Sequence, residues 1–203
     1  MLHTFVSLVE DTPGALTRVA SLFRRLNINI ISLTVGHSER NGVSRMTIVA
    51  EAPPGAGHRI KASMFKIENV LDVDDVGQLS CVVRELALIK VAATLQTRAA
   101  IFQLAEVFRA RVVDLAPESL MLEITGVASK IEGLIQVLNE GDNRILEISR
   151  TGRMVMRRGQ HTSQVLEAMR VSSPEEEPII PVTASTKTGN GLELVTGDPN
   201  HPL

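Results

Sequence analysis

The feature that most constrains this chain is an order of local patterns that occurs twice. Leu2–Glu10 is an apolar, β-branched run followed by Asp11-Thr12-Pro13-Gly14. Capping side chains and then Pro at an early helical position make a helix-start signature. Leu16, Val19, Ala20, Phe23 and Leu26 recur at spacings of three or four, with Arg18, Arg24 and Arg25 on other faces. That spacing predicts an amphipathic helix whose apolar stripe needs a sheet beneath it. Residues 28–35 and 43–50 are β-rich and separated by the polar, Gly-bearing segment 36–42, which reads as a hairpin. Pro53, Pro54, Gly55 and Gly57 break the second of these strands. Ile60, Met64 and Ile67, with Phe65 as a further candidate, then supply a second helical stripe, and 70–76 reads as a fourth strand.

The same order returns downstream: strand 86–93, helix 99–110, strands 112–116 and 120–125 turned at Pro117, helix 129–138 and strand 145–149. The two copies share element order without residue-level identity. The expected fold class is therefore α+β, with two consecutive ferredoxin-like βαββαβ domains, each placing two helices on one face of a four-stranded antiparallel sheet. Domains are expected at 1–78 and 79–170. Residues 171–203 differ in kind: five of the nine prolines fall there, with Glu175, Glu176, Glu177, Glu193 and Asp198 set against Lys187 alone. Too little apolar surface is available to offset ordering, so an acidic, Pro-rich flexible tail is expected.

Composition then removes whole classes of function. Lys+Arg 21 against Asp+Glu 23 leaves a net charge of -2, which gives no general attraction to phosphate backbones or anionic lipid. With five Phe and no Trp or Tyr, aromatic platforms for stacking bases are scarce. No apolar run approaches the roughly 20 residues that span a bilayer. The run from His3 begins almost at Met1 without a basic segment before it, which predicts no secretory signal. Cys81 is the single cysteine, which suits a reducing compartment. The expectation is a cytoplasmic protein that binds neither nucleic acid nor membrane.

A search for chemistry returns little. His3, His37, His58, His161 and His201 do not stand at ligand spacings from one another or from Cys or carboxylates, so they read as solvent-exposed imidazoles and no metal site is expected. No G-x-S-x-G is present, and Cys81 reads as a small buried hydrophobe. Gly55-Ala56-Gly57 is too short for a phosphate loop. Arg150, Arg153, Arg157 and Arg158 form a basic group that reads as a solvated face or a docking patch, with a phosphate clamp as the alternative. No catalytic residue is expected. What stands out is the first strand–helix turn, where a helix N-terminus offers unpaired N–H groups and Gly14 removes a blocking side chain. A small carboxylate fits such a place, although the same residues serve equally as a plain helix cap.

Asp11-Thr12-Pro13-Gly14-Ala15-Leu16 with Arg18-Val19, followed by Asn29-Ile30-x-Ser32-Leu33-Thr34-Val35 and Ser44-Arg45-Met46-Thr47-Ile48, resembles the amino-acid-binding ACT domain. Within that class it is similar to the small regulatory subunits of acetohydroxyacid synthase (acetolactate synthase). Arg84-Glu85-Leu86, Ile124-Thr125-Gly126 and Arg150-Thr151-Gly152 before Arg158-Gly159 continue the likeness in family order. The resemblance implies a chain that is not an enzyme by itself and carries no cofactor. It activates a large catalytic subunit that holds thiamine diphosphate, Mg and usually FAD, and it confers feedback inhibition, commonly by valine, in branched-chain amino-acid synthesis. It implies side-by-side homodimers with the effector at their interface. The turn with Asp11, Thr12, Gly14, Ala15 and Leu16 comes from one chain, and the strand start with Asn29 and Ile30 from the other. The family often has Asn where this chain has Asp11. A carboxylate there cannot donate a hydrogen bond and repels an effector carboxylate while favouring its ammonium. The chain after Arg170 runs past the family's usual end. A reading of another class is a stand-alone ACT-type sensor or transcriptional regulator, opposed by the charge balance and the missing aromatic residues.

Overall fold

Residues 1–141 and 144–159 are described by the structure, a computed structural model. The first sheet and its helices run β1 (Leu2–Glu10), α1 (Ala15–Arg25), β2 (Asn29–His37), β3 (Val43–Glu51), α2 (Ala56–Met64) and β4 (Val70–Asp75). The second run is β5 (Cys81–Ala92), α3 (Arg98–Phe108), β6 (Arg111–Leu115), β7 (Ser119–Gly126), α4 (Ala128–Glu140) and β8 (Ile145–Arg150), followed by the short β9 (Met154–Arg157). The strand orders β2-β3-β1-β4 and β6-β7-β5-β8 are the same path walked twice, with every pairing antiparallel. The two ferredoxin-like units expected from the sequence are present. The expected end of the second domain at residue 170 and the expected tail over 171–203 lie outside the described residues.

Each unit has its own core. Phe5, Val9, Met46 and Ile48 on one sheet face meet Val19, Leu22 and Phe23 of α1 and Ile60 and Met64 of α2. Ala87, Ile89, Leu122 and Ile124 meet Ile101 of α3 and Ile131, Leu134 and Leu138 of α4 in the second. The inward stripe of α1 is Ala15, Val19, Leu22 and Phe23, while Leu16 and Leu26 are 44% and 39% exposed. The expected stripe is thus correct at its centre and wrong at both ends, because the sheet covers only part of the helix circumference. Phe65, proposed for the second stripe, is also exposed. Helix α1 ends in a Schellman turn, with Asn27 in the left-handed region (φ 54) and Ile28 N–H donating to Phe23 O at 3.0 Å.

Partners distant in sequence overturn one expectation about a polar group and add to another. His3 is not a solvent-exposed imidazole but is buried, stacked on Phe5, with Nδ1 3.1 Å from Asp75 Oδ2. Helix α2 closes over this pair at Gly57, where a Cβ would run into the Asp75 carboxylate and stand 2.7 Å from His3 Nδ1. The basic group lies at the surface, with Arg150 and Arg158 exposed, and two of its members are also paired. Arg150 Nε donates to Glu85 Oε1 at 2.6 Å and Nη1 to Glu132, and Arg157 lies 3.6 Å from Asp74. Glu85 and Glu132 hold the Arg150 guanidinium well above its ordinary pKa, the hydrogen bond it donates to Glu85 being the largest cause.

Strand β9 joins the units. Cys81–Arg84, the first four residues of β5, pair with it rather than with the second sheet. Val155 then packs with Val6 and Val76 of the first unit, and Cys81 and Val83 pack partly buried beside them. Arg45 Nη2 donates to Val155 O at 3.0 Å. Part of the first sheet's face opposite its helices, around Val6 and Arg45, is covered in this way by chain that returns from the second unit.

Candidate functional site

The turn between β1 and α1 is built by backbone hydrogen bonds on both flanks. Asp11 N–H donates to Gly42 O at 2.8 Å, Thr12 N–H to Glu10 O at 2.9 Å and Ala15 N–H to Thr12 O at 3.2 Å. A side-chain brace holds it from beneath: Arg18 Nη1 donates to Asn69 Oδ1 at 2.6 Å, and Asn69 Nδ2 donates to Glu10 Oε2 at 2.8 Å and to Thr12 Oγ1 at 3.4 Å. This brace escaped the sequence reading, since Asn69 is some fifty residues away and only Arg18 carries a visible signal.

Asp11 and Thr12 were expected to cap α1, with Pro13 inside it. Instead the N-cap is Gly14 at φ 91, ψ -12, no side chain caps the helix, and no acidic residue lies in its first turn. Pro13 therefore precedes the cap. The Leu16 and Thr17 N–H groups have no backbone acceptor among the described residues and stand at the positive end of the helix dipole. No atom lies within 4 Å of a Cβ built on Gly14, so the approach is open, and the left-handed φ accounts for glycine at this position. The other expected residues fall into two groups. Asp11, Thr12, Gly14 and Leu16 are exposed together at the turn, and Ala15 is buried behind them. Asn29, exposed, and Ile30, half-buried against the core, stand at the start of β2.

Those two groups are far apart in one chain. His37 Nδ1 lies 3.3 Å from Asp11 Oδ2, which puts the turn beside the last residue of β2. Asn29 is the first residue of that nine-residue strand, about 26 Å away at ~3.3 Å per residue. His37 is a further member of the turn's surroundings that the sequence reading missed. Among the described residues, no group of three His, Cys, Asp or Glu side chains could hold a metal ion, and no helix is long and apolar enough to cross a membrane.

Known proteins resemble the chain over both units. Residues 5–72 match the AHAS small subunit-like ACT domain, and residues 84–159 match the family described as the small subunit of acetolactate synthase. A probable acetolactate synthase small subunit of Archaeoglobus fulgidus is 42% identical over 159 residues, covering 78% of this chain and 98% of that one. The chain belongs to the acetolactate synthase small-subunit family. The acetolactate synthase small subunit of Mycolicibacterium smegmatis is 43% identical over 157 residues, covering 77% of this chain and 91% of the relative. The crystal structure of the small subunit from Thermotoga maritima superposes with a TM-score of 0.73 at 37% identity, covering 79% of this chain and 99% of that one. The acetolactate synthase small-subunit likeness therefore includes the β1–α1 turn, β2 and the 150–153 segment.

Proposed function

We propose that this chain is the non-catalytic regulatory subunit of an acetolactate synthase. It binds the large catalytic subunit, raises its activity, and inhibits it when valine or another branched-chain amino acid binds between the first units of two copies. The observation that most supports this reading is the uncapped start of α1 at Gly14, set beside the end of a long free edge strand whose other end carries Asn29.

Strand β2 has one edge unpaired among the described residues, and an unpaired edge is a template for another strand. Two copies joined antiparallel through β2 about a two-fold axis bring the His37 end of one beside the Asn29 end of the other. Each pair then holds two equivalent sites, with Asp11, Thr12, Gly14, Ala15 and Leu16 from one chain and Asn29 and Ile30 from its partner. The effector carboxylate meets the first-turn N–H groups and the helix dipole. Its ammonium competes with His37 for Asp11, and its aliphatic side chain lies near the exposed Leu16. Thiamine diphosphate, Mg and FAD belong to the catalytic partner. The setting is the cytoplasm and the pathway is branched-chain amino-acid biosynthesis.

The test is reconstitution with the cognate large subunit. Alone the chain forms no acetolactate from pyruvate; added to the large subunit it raises the rate, and valine lowers the rate again. Equal activity with and without the chain, under conditions where the two associate, contradicts the reading, and a chain that co-purifies with nucleic acid points to a transcriptional regulator.

A further inference from the structure

Three residues beyond Asn29, the strand that carries the proposed effector contacts touches the second unit. Ser32 Oγ accepts the Arg153 N–H at 3.3 Å, and Thr34 Oγ1 donates to Thr151 O at 3.0 Å. Between them Gly152, at φ 79, lies so close to β2 that a Cβ would run into Ser32 Oγ and stand 3.0 Å from Thr34 Oγ1. Both the backbone conformation and the close approach require glycine here. The same four-residue strap is fastened to the second unit. Arg150 bridges Glu85 on β5 and Glu132 on α4. Thr151 N–H donates to Leu86 O at 3.0 Å while its hydroxyl oxygen accepts the Leu86 N–H at 3.1 Å.

A rigid brace would transmit nothing, but β2 carries a β-bulge, a local irregularity that can be moved or removed. Its pairing with β3 slips by one residue between Ile30 and Ser32, so that Ile30 faces Ala50 and Ser32 faces Val49. Ile31 stands in this bulge, 52% exposed. Removing or moving a bulge changes which face the following side chains occupy. Space for such a change exists, because a cavity of about 510 Å³ separates the units here, bounded by Ile31, Leu33, Glu85 and Arg153 among others.

We infer that Ser32, Thr34 and Gly152 are coupling residues: the effector's contacts at Asn29 and Ile30 bias the bulge at Ile31, and the strap carries that bias to β5 and α4 of the second unit. This rests on the effector reading above and names how that site is heard by the rest of the chain. Coupling between two sites is a free energy that either ligand reports equally. If the strap carries it, cutting the strap lowers inhibition while leaving the effector's affinity for the free chain intact.

Ser32→Ala with Thr34→Val removes both hydroxyls and touches none of the residues placed at the effector turn. Valine binding to the free full-length chain is measured by calorimetry, and valine inhibition is measured on the holoenzyme reconstituted with the cognate large subunit. The expected result is affinity within twofold of wild type, unchanged activation, and a concentration for half-inhibition raised at least tenfold or inhibition lost. The single variants Ser32→Ala and Thr34→Val, each retaining one tie, fall between wild type and double variant and guard against a folding defect. Inhibition within twofold of wild type overturns the coupling. So does loss of valine binding by the double variant in a folded chain, since Ser32 and Thr34 would then belong to the site itself. Failure of the wild-type chain to bind valine overturns the effector reading and the coupling together.

Discussion

The two units share a strand path, yet their first helices begin differently. Neither helix has a side-chain cap hydrogen bond, but α1 starts at a glycine in the left-handed region. Helix α3 starts at Thr97 with φ -86, and its approach is tied by Thr94 N–H donating to Thr97 Oγ1 at 3.0 Å and Thr97 N–H to Thr94 Oγ1 at 3.3 Å. Arg98 then reaches back to the carbonyls of Ala116 and Pro117 at 3.0 and 2.8 Å. The edge strands diverge too: both are bulged, but β2 has nine residues and no Lys, Arg, Asp or Glu, whereas β6 has five and places charged Arg111 and Asp114 on its length. Short, charged edges resist pairing with another chain. One fold thus presents an open helix start beside an edge strand unpaired among the described residues in the first unit, and a tied helix start beside a short charged edge in the second.

The largest effects test whether each unit has an independent core. Phe23 and Leu134 are 0% exposed in separate clusters, so Phe23→Ala should cost ~3–5 kcal/mol and Leu134→Ala ~2–5 kcal/mol. Denaturant titration should show each loss, and costs under ~1 kcal/mol would contradict the packing. Next comes the strap. Arg150→Ala leaves the buried Glu85 without its guanidinium, at a cost of about 1–2 kcal/mol, near the low end for an orphaned buried charge because the Arg150 side chain is 32% exposed. Glu85→Gln in the same background should recover part of that loss.

A smaller effect separates the two helix starts. Gly14→Asp brings a carboxylate to the uncapped turn, and non-glycine residues tolerate the left-handed region poorly, so ~1 kcal/mol of stability is lost. Valine affinity should fall at least about tenfold, ~1.4 kcal/mol, through like charge and blocked approach. Thr97→Asp, the matching change on α3, places an acid where a helix favours one. It should leave stability within about 0.5 kcal/mol and valine response unchanged. Equal loss of effector response in both variants would remove the distinction between the units.

Element order and most strand bounds were readable because they rest on local periodicity: Leu2–Glu10 is a strand in both readings, whereas β5, expected from residue 86, begins at Cys81. What escaped depends on partners far along the chain. Strand β9 shows a short alternation, Met154 and Met156 outward and Val155 inward, but it is a strand only because Cys81–Arg84 lies beside it. The burial of His3 and the ion pairs of Arg150 escaped because Asp75 and Glu85 are 72 and 65 residues away. Leu16 and Leu26 looked inward because periodicity does not mark where the sheet ends. The turn at Gly14 was legible from its glycine, whereas the absence of a side-chain cap on Asp11 or Thr12 follows from geometry alone.

The central claim is that one effector site needs two chains, and mixed dimers test it most directly. Eleven residues of α1 span ~16 Å, too far for one small amino acid to bridge Gly14 and Asn29 along that helix. Gly14→Asp and Asn29→His chains should each bind valine poorly as pure dimers. After mixing, with heterodimers verified by distinguishable tags, one site per heterodimer joins a wild-type turn to a wild-type strand start. Calorimetry should then recover valine binding at about one site per heterodimer. Heterodimers that form and show no recovered binding would contradict the shared site.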